Sequence, residues 1–163
     1  MEIDYKELGF RIDKLSLLRR VTLGRIFQTY GLHFGQFPLL RYVIENDGCT
    51  QAEVAEFLGV SPASVALSTK RLSRAGMIEK SVDKDNLRRN TLKITSKGLE
   101  VANRCSQEFD EYNRRLFSGI SSEERQILFD TLGKLLHNAF EGSEPDMHTL
   151  MRDMKELKNK HCK

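Results

Sequence analysis

Two helix starts lie close together in the middle of this sequence, and they constrain its fold more than any other feature. Residues 50–53 read Thr-Gln-Ala-Glu, a capping box in which the Thr hydroxyl and the Glu carboxylate each accept a hydrogen bond from the other's backbone amide. The helix that follows is predicted to end at Gly59, and Ser61 before Pro62 marks the N-cap and first turn of the next helix. So tight a connection predicts a helix-turn-helix arrangement.

The second of these helices is predicted to end at Gly76, with Val65, Leu72 and, more weakly, Ser68 and Thr69 on its inward face. Beyond it the apolar period changes to about two. Residues 78–82 and 91–95 therefore read as two strands around the polar segment 83–90. The pattern is typical of a β-hairpin with a basic tip.

Helical periodicity flanks this segment on both sides. It predicts a long helix over about residues 5–30, a shorter one around residues 37–44, a long one beyond Gly98 and another that opens at a second capping box, Ser121 to Glu124. An amphipathic segment follows Pro145. The predicted fold class is mostly α with a small β-hairpin wing, a winged helix-turn-helix flanked by long helices.

Length and composition exclude several classes of protein. The 163 residues suit a single domain, and 39% hydrophobic residues are too many for a disordered chain. No apolar run is long enough to cross a bilayer and the N-terminus is acidic, so we expect no membrane association and no export. Three widely separated cysteines are typical of reduced thiols, which favours a cytoplasmic location.

No motif in the sequence points to catalysis or to a bound cofactor. A Gly-rich phosphate loop, a nucleophile elbow and a His-Glu-x-x-His motif are all absent. The four histidines have no short spacing to cysteines or carboxylates that would suit zinc. We therefore expect no enzyme activity, no metal site and no cofactor.

The net charge of +3 is distributed unevenly along the chain. Residues 61–97 hold nine basic and three acidic residues, a net charge of +6, which leaves −3 for the remainder. Because phosphate neutralisation dominates the affinity of proteins for nucleic acids, a compact basic element between acidic helical arms is typical of a duplex-binding module. Double-stranded DNA is the partner that this distribution favours.

The same stretch resembles the winged helix-turn-helix of the multiple antibiotic resistance regulator (MarR) family in three blocks of sequence. They read T-Q-A-E-V-A-E-F-L-G-V-S-P-A-S-V, then K-R-L-S-R-A-G-M-I-E-K, then D-K-D-N-L-R-R-N-T-L-K-I-T-S-K-G. The resemblance implies a DNA-binding lobe at residues 35–98 and a helical homodimerisation region at residues 1–34 and 99–143. Residues 144–163 would form an extra C-terminal amphipathic helix.

The resemblance implies a dimeric, ligand-responsive repressor whose recognition helix enters the major groove of a pseudo-palindromic operator. Ser side chains bond several base edges, whereas Ala and Leu pack only on thymine methyl groups, which favours A·T-rich sites. Basic residues further along the helix would hold phosphates, and Gln51 would meet a phosphate at a helix N-terminus. The predicted contacts of the two helices are Gln51, Ser61, Ala63, Ser64, Leu67, Lys70 and Arg71.

Arg88 and Arg89 at the wing tip are predicted to reach a minor groove, where narrow A-tracts attract arginine. Arg88 occupies the position of the family's wing arginine, and Asn86 stands where that family usually has Asp. Asp83 and Asp85 are the alternative partners for the wing.

In similar proteins a small aromatic or phenolic effector binds between the dimer helices and the DNA-binding lobe. Tyr30, Phe34, Phe37 and Arg41 are the candidate pocket residues here. Two alternatives remain open at this point. The chain could be a thiol-based redox-sensing regulator, or a winged-helix protein-interaction module that does not bind DNA.

Overall fold

The computed structural model describes residues 3–82, 90–140, 149–150 and 153. Six helices and one two-stranded antiparallel sheet follow one another in this part of the chain. In chain order they are α1 (Tyr5–Thr29), α2 (Gln36–Glu45), α3 (Gln51–Phe57), α4 (Pro62–Arg74), β1 (Ile78–Val82), β2 (Asn90–Ile94), α5 (Ser96–Leu116) and α6 (Ser122–Ala139). This order confirms the predicted mostly α fold with a small β-hairpin.

Both predicted capping boxes are present. Thr50 Oγ1 accepts from the amide of Glu53 at 3.3 Å, and Glu53 Oε2 accepts from the amide of Thr50 at 2.6 Å. Ser121 and Glu124 repeat the arrangement at the start of α6. These reciprocal bonds satisfy amides that a helix start leaves without partners, and they explain why α3 and α6 begin where the sequence predicts.

The second strand of the hairpin begins and ends one residue earlier than predicted, because Thr95 belongs to the start of the next helix. Ile78 pairs with Ile94 and Val82 pairs with Asn90. Thr95 is the N-cap of α5, which begins at Ser96 and not beyond Gly98 as predicted. The Thr95 hydroxyl accepts from the amide of Gly98 at 3.0 Å, so Gly98 lies in the first turn of the helix.

A single apolar core joins the wing, the helix-turn-helix and the adjoining ends of α1 and α5. Val65, Thr69 and Leu72 face it from α4, as predicted, whereas Ser68 is half-buried. The other contributors come from every element except α6. They include Leu23, Phe27, Leu39, Leu40, Val43, Val54, Ile78, Leu92 and Cys105.

Helix α6 and most of α1 leave large apolar side chains exposed. The described α6 has no buried residue, and in α1 only Leu23 and Phe27 are buried. The predicted apolar stripe of α1 is therefore mostly exposed in the single chain, although Ile26 packs against the core. The exposed apolar residues of α6 are Ile127, Leu128, Phe129, Leu132, Leu135 and Leu136, and its C-cap residue Phe140 is exposed as well.

Arg19 takes part in the contact between α1 and α5. Arg19 Nη1 donates to Asn113 Oδ1 at 3.1 Å, and the same guanidinium lies 5.5 Å from the ring centroid of Phe109 and 5.9 Å from that of Tyr112. A cation over aromatic faces is attracted by their electrostatic quadrupole. This contact ties together the two helices that precede and follow the winged helix-turn-helix in the chain.

Most of the predicted C-terminal helix, residues 144–163, lies outside the described residues. Within this segment only residues 149, 150 and 153 are described, and all three are helical. None of the helices in the described part of the chain combines the length and apolar character needed to cross a membrane.

Candidate nucleic-acid interface

The first turn of α4 presents two serines. Ser61 is the N-cap, and its hydroxyl accepts from the amide of Ser64 at 3.2 Å. The two hydroxyl oxygens lie 2.8 Å apart, so one donates to the other. Ser61 is half-buried and occupied with capping, whereas Ser64 is exposed. Ser64 is therefore the better placed of the two predicted base contacts.

The middle of α4 exposes small and apolar side chains. Ala63 and Leu67, both predicted to face bases, are exposed, and Leu67 as a residue is 51% exposed. Ala66 is exposed on the same helix and is absent from the predicted contacts. Its position three residues after Ala63 is the signal that helical spacing offers for it.

The C-terminal half of α4 is basic. Lys70, Arg71 and Arg74 are exposed, and the last two lie in the final turn. Cations near a helix C-terminus are stabilised by the helix dipole, so these positions tolerate clustered charge. The helix thus carries hydroxyls, then apolar groups, then cations along its accessible surface, an arrangement that suits base edges and phosphates.

The start of α3 offers a second contact point. The Thr50 hydroxyl is used in the capping box, whereas Gln51 is the first helical residue and is half-buried. Thr50 also forms an isolated antiparallel bridge with Thr91, and the amide of Leu92 donates to the Cys49 carbonyl at 2.7 Å. These bonds hold the start of α3 against the wing.

The wing tip lies outside the described residues. It contains Arg88 and Arg89 and the two aspartates that were the alternative partners for the wing, Asp83 and Asp85. On the described strands, Lys80 is exposed and Lys93 Nζ lies 3.7 Å from Asp47 Oδ2. Glu79 pairs with Lys93 across the hairpin. The wing arginines stay a prediction.

The candidate effector residues surround the junction of α1 and α2. The Phe37 ring stacks on the Phe27 ring with 5.2 Å between the ring centroids. Phe37 and Tyr30 are both partly buried against the core. Phe34 is exposed, and its ring lies edge-on to the Phe27 ring with 5.5 Å between the centroids. The Arg20 guanidinium lies 5.7 Å from the centroid of the Phe34 ring.

Arg41, the fourth candidate, forms an ion pair along α2. Its Nη2 donates to Glu45 Oε1 at 2.7 Å on the exposed side of α2. Phe34 and Phe37 both contact the ring of Phe27, and Tyr30 packs against the same core. Arg20, which the sequence did not single out, is the cation that lies at an exposed ring.

The two described thiols lie in the core. Burial, with the nearby carboxylate Glu53 as a smaller cause, raises the pKa of Cys49 to about 11. Burial, followed by Glu108, raises the pKa of Cys105 to about 11. Thiolates are the reactive form, so neither thiol has the environment of a redox sensor. Cys162 lies outside the described residues, within which no group of His, Cys, Asp and Glu suits a metal ion.

Comparison with known proteins gives the same family along several routes. The sequence profile described as MarR family matches residues 30–89. The HTH-type transcriptional regulator YybA of Bacillus subtilis (strain 168) is 31% identical over 120 residues, which cover 74% of this chain and 77% of that protein. The HTH-type transcriptional regulator BilQ of Clostridium symbiosum (strain WAL-14163) is 26% identical over 125 residues, covering 77% and 83%.

Solved structures share this fold over most of the chain. MepR, a transcription regulator of the Staphylococcus aureus multidrug efflux pump MepA, matches with a TM-score of 0.71 at 25% identity, covering 84% of this chain and 99% of that one. A MepR mutant bound to an oligodeoxyribonucleotide matches with a TM-score of 0.63 at 26% identity, covering 85% and 99%. With its winged helix-turn-helix and these relatives, the chain belongs to the MarR family of DNA-binding transcriptional regulators.

Proposed function

We propose that this regulator is a homodimeric repressor that binds a pseudo-palindromic operator and releases it when a small aromatic or phenolic effector binds. The exposed face of α4 is the observation that carries the proposal, because it presents Ser64, Ala63 and Leu67 ahead of Lys70 and Arg71. Recognition helices in this class of fold contact base edges through their N-terminal part. The order of side chains along α4 agrees with that use.

Each group on α4 has a distinct role in the proposal. The Ser64 hydroxyl bonds a base edge, and Leu67 packs on a thymine methyl, since an apolar side chain has no other favourable partner in the major groove. Lys70 and Arg71 hold phosphates. Gln51 meets a phosphate at the start of α3, where helix amides add to the attraction.

Exposed apolar surface supports the dimer. Leu132 and Leu136 of α6 and Leu15 and Leu18 of α1 are all more than two-fifths exposed in the single chain. Apolar area on this scale is usually covered by a partner. A two-fold dimer through these helices would carry one recognition helix on each side and would place them in successive major grooves, about 10 base pairs apart.

The surroundings of Phe34 support the effector. Its exposed ring and the guanidinium of Arg20 offer apolar contact and a positive charge together. An aromatic acid or a phenolate fits that chemistry. Such a ligand weakens DNA binding if it favours a spacing of the two lobes that no longer fits the grooves, because a ligand shifts an equilibrium by its differential affinity for the two states.

Selection of bound sequences from random duplex tests the operator proposal. We expect two related half-sites about 10 base pairs apart and rich in A·T. Replacing Lys70 and Arg71 by Ala should weaken binding at all sites and lower the salt slope by about 0.9 for each phosphate that the variant no longer neutralises. The control is Arg104→Ala in α5, an exposed arginine paired with Glu100, which should leave both quantities unchanged. A monomer at micromolar concentration, or selected sequences without half-sites, would refute the proposal.

The wing and the effector need separate measurements. Replacing Arg88 and Arg89 by Ala should lower operator affinity and its salt slope, and unchanged values would remove the wing from the interface. For the effector, salicylate serves as a probe of the aromatic acid class, titrated against a preformed complex with the selected duplex. Phe34→Ala and Arg20→Met should each raise the concentration needed for release, whereas the control Arg104→Ala should not.

A further inference from the structure

The recognition helix is fixed to α5 by hydrogen bonds just after its last turn. Thr95, the N-cap of α5, has its hydroxyl 2.7 Å from the Gly76 carbonyl oxygen and 3.0 Å from that of Met77. The amide of Thr95 donates to the Met77 carbonyl at 3.1 Å. The same hydroxyl accepts from the amide of Gly98. One side chain therefore joins the end of α4 to the start of α5.

Two further side chains, one in α5 and one in α4, donate hydrogen bonds to the carbonyls on either side of Gly76 and Met77. Lys97 Nζ donates to the carbonyl of Ala75, the C-cap residue of α4, at 2.7 Å. Ser73 Oγ, inside the last turn of α4, donates to the Ile78 carbonyl at 3.2 Å. The four consecutive carbonyls of residues 75–78 thus all accept hydrogen bonds from Ser73, Thr95 or Lys97.

The two backbones also approach closely here. A β-carbon on Gly98 would lie 2.0 Å from the Met77 carbonyl oxygen and 2.7 Å from Ile94 Cδ1. Since Gly98 lies within a helix, the glycine is required by this approach and not by its backbone torsion angles. We call Ser73, Thr95, Lys97 and Gly98 the α4–α5 junction.

We infer that the α4–α5 junction sets the tilt of the recognition helix, and that Thr95 and Lys97 are positioning residues for the half-site spacing that the dimer accepts. The inference rests on the proposed dimer and deepens it. The core contacts of α4, through Val65 and Leu72, are apolar and without direction, whereas hydrogen bonds at the junction are directional.

The geometry of α4 shows how much tilt matters. Its 13 residues span about 20 Å at about 1.5 Å per residue, with the junction at one end and the proposed base contacts at the other. A rotation of about 10° about the junction would move the far end by about 3.4 Å, the rise of one base pair along a strand. A small increase in the mobility of the junction is therefore enough to let the N-terminal end of α4 shift by one base pair along each half-site.

Thr95→Val tests the inference, because it removes the hydroxyl while keeping the branched shape. The probes are duplexes that the wild-type protein selects, and the same duplexes with one base pair inserted or deleted between the half-sites. Wild type should bind the altered spacings at least tenfold more weakly. Thr95→Val should bind the selected spacing about tenfold more weakly and should discriminate less than threefold between spacings, since its side chain can no longer form the directional bonds. Thr95→Ser should recover the discrimination.

Random duplex at matched salt separates positioning from phosphate contact. Thr95→Val should bind it within twofold of wild type and keep the salt slope, as should Lys97→Met. A drop of the slope by about one in Lys97→Met would show that Lys97 contacts a phosphate, which would overturn its positioning role. Lys97→Arg should behave as wild type.

Val43→Ala in α2 is the matched control for reduced stability, because Val43 is fully buried and lies outside both the junction and the exposed face of α4. It should lower the Tm and keep the spacing discrimination. If Thr95→Val fails to fold, Lys97→Met carries the test. Retained discrimination in the junction variants, or its loss in Val43→Ala, would overturn the inference. Wild-type binding without any spacing preference would instead refute the dimeric operator proposal.

Discussion

Removing two leucines from the apolar face of α6 should weaken the proposed dimer strongly. Leu132 and Leu136 are each 43% exposed in the single chain. Full burial of a leucine contributes about 1.5–3 kcal/mol, so covering the exposed two-fifths contributes about 1 kcal/mol for each side chain. Two side chains in each of two protomers give about 4 kcal/mol. The variant Leu132→Ala with Leu136→Ala should therefore dimerise about a thousandfold more weakly.

Sedimentation equilibrium over a concentration series measures this directly. Alanine has the higher helix propensity, so α6 should keep its helix, which circular dichroism checks. The matched control is Ile127→Ala, which removes an exposed side chain from the same helix at a position about 160° around the axis from the midpoint of the leucine pair. It should dimerise as wild type does. Equal dimerisation of the leucine variant and wild type, or an equal loss in the control, would refute the assignment of this face.

Three other predictions concern the DNA-binding lobe. Leu67→Gln should replace the A·T preference at one position of each half-site, seen as a change in the selected sequences, and an unchanged preference would contradict the methyl contact. Thr50→Ala should lower the free energy of unfolding by about 1 kcal/mol, measured by urea titration, with Thr50→Ser close to wild type. In a Cys162→Ser background, Cys49 and Cys105 should react slowly with a thiol reagent at pH 8 and rapidly in urea, because burial raises the pKa of each to about 11. Their folded pKa lies above the unfolded value of about 8.5, so the stability that the neutral thiols contribute is complete below about pH 8.5 and is lost as the pH rises through about 11.

The helix starts were predictable because each depends on a few adjacent residues. Thr50 with Glu53 and Ser121 with Glu124 satisfy helix amides locally, and both capping boxes are confirmed. Ser61 before Pro62 likewise marks the start of α4. The inward face of α4 followed from the 3.6-residue period, since an amphipathic helix in a small lobe has one side to bury.

Features that depend on contacts distant in sequence were not predictable. The sequence places the start of α5 too late because Thr95 reads equally well as the end of a strand, and only its contact with Gly76 and Met77 distinguishes the two. The position of Arg20 over Phe34 likewise depends on how α1 meets the following loop. Local spacing carries no information on either contact.

The winged helix-turn-helix lies between α1 and α5 in the chain, and these two helices contact each other where Arg19 joins them. A domain on one connecting chain can twist about that chain, whereas a domain on two packed helices resists torsion and yields mainly to bending. We therefore expect the winged helix-turn-helix to move by bending of α1 and α5 and not by rotation about their axes. An effector lodged near this paired stalk would change the distance between the two recognition helices while each keeps its own orientation toward the groove.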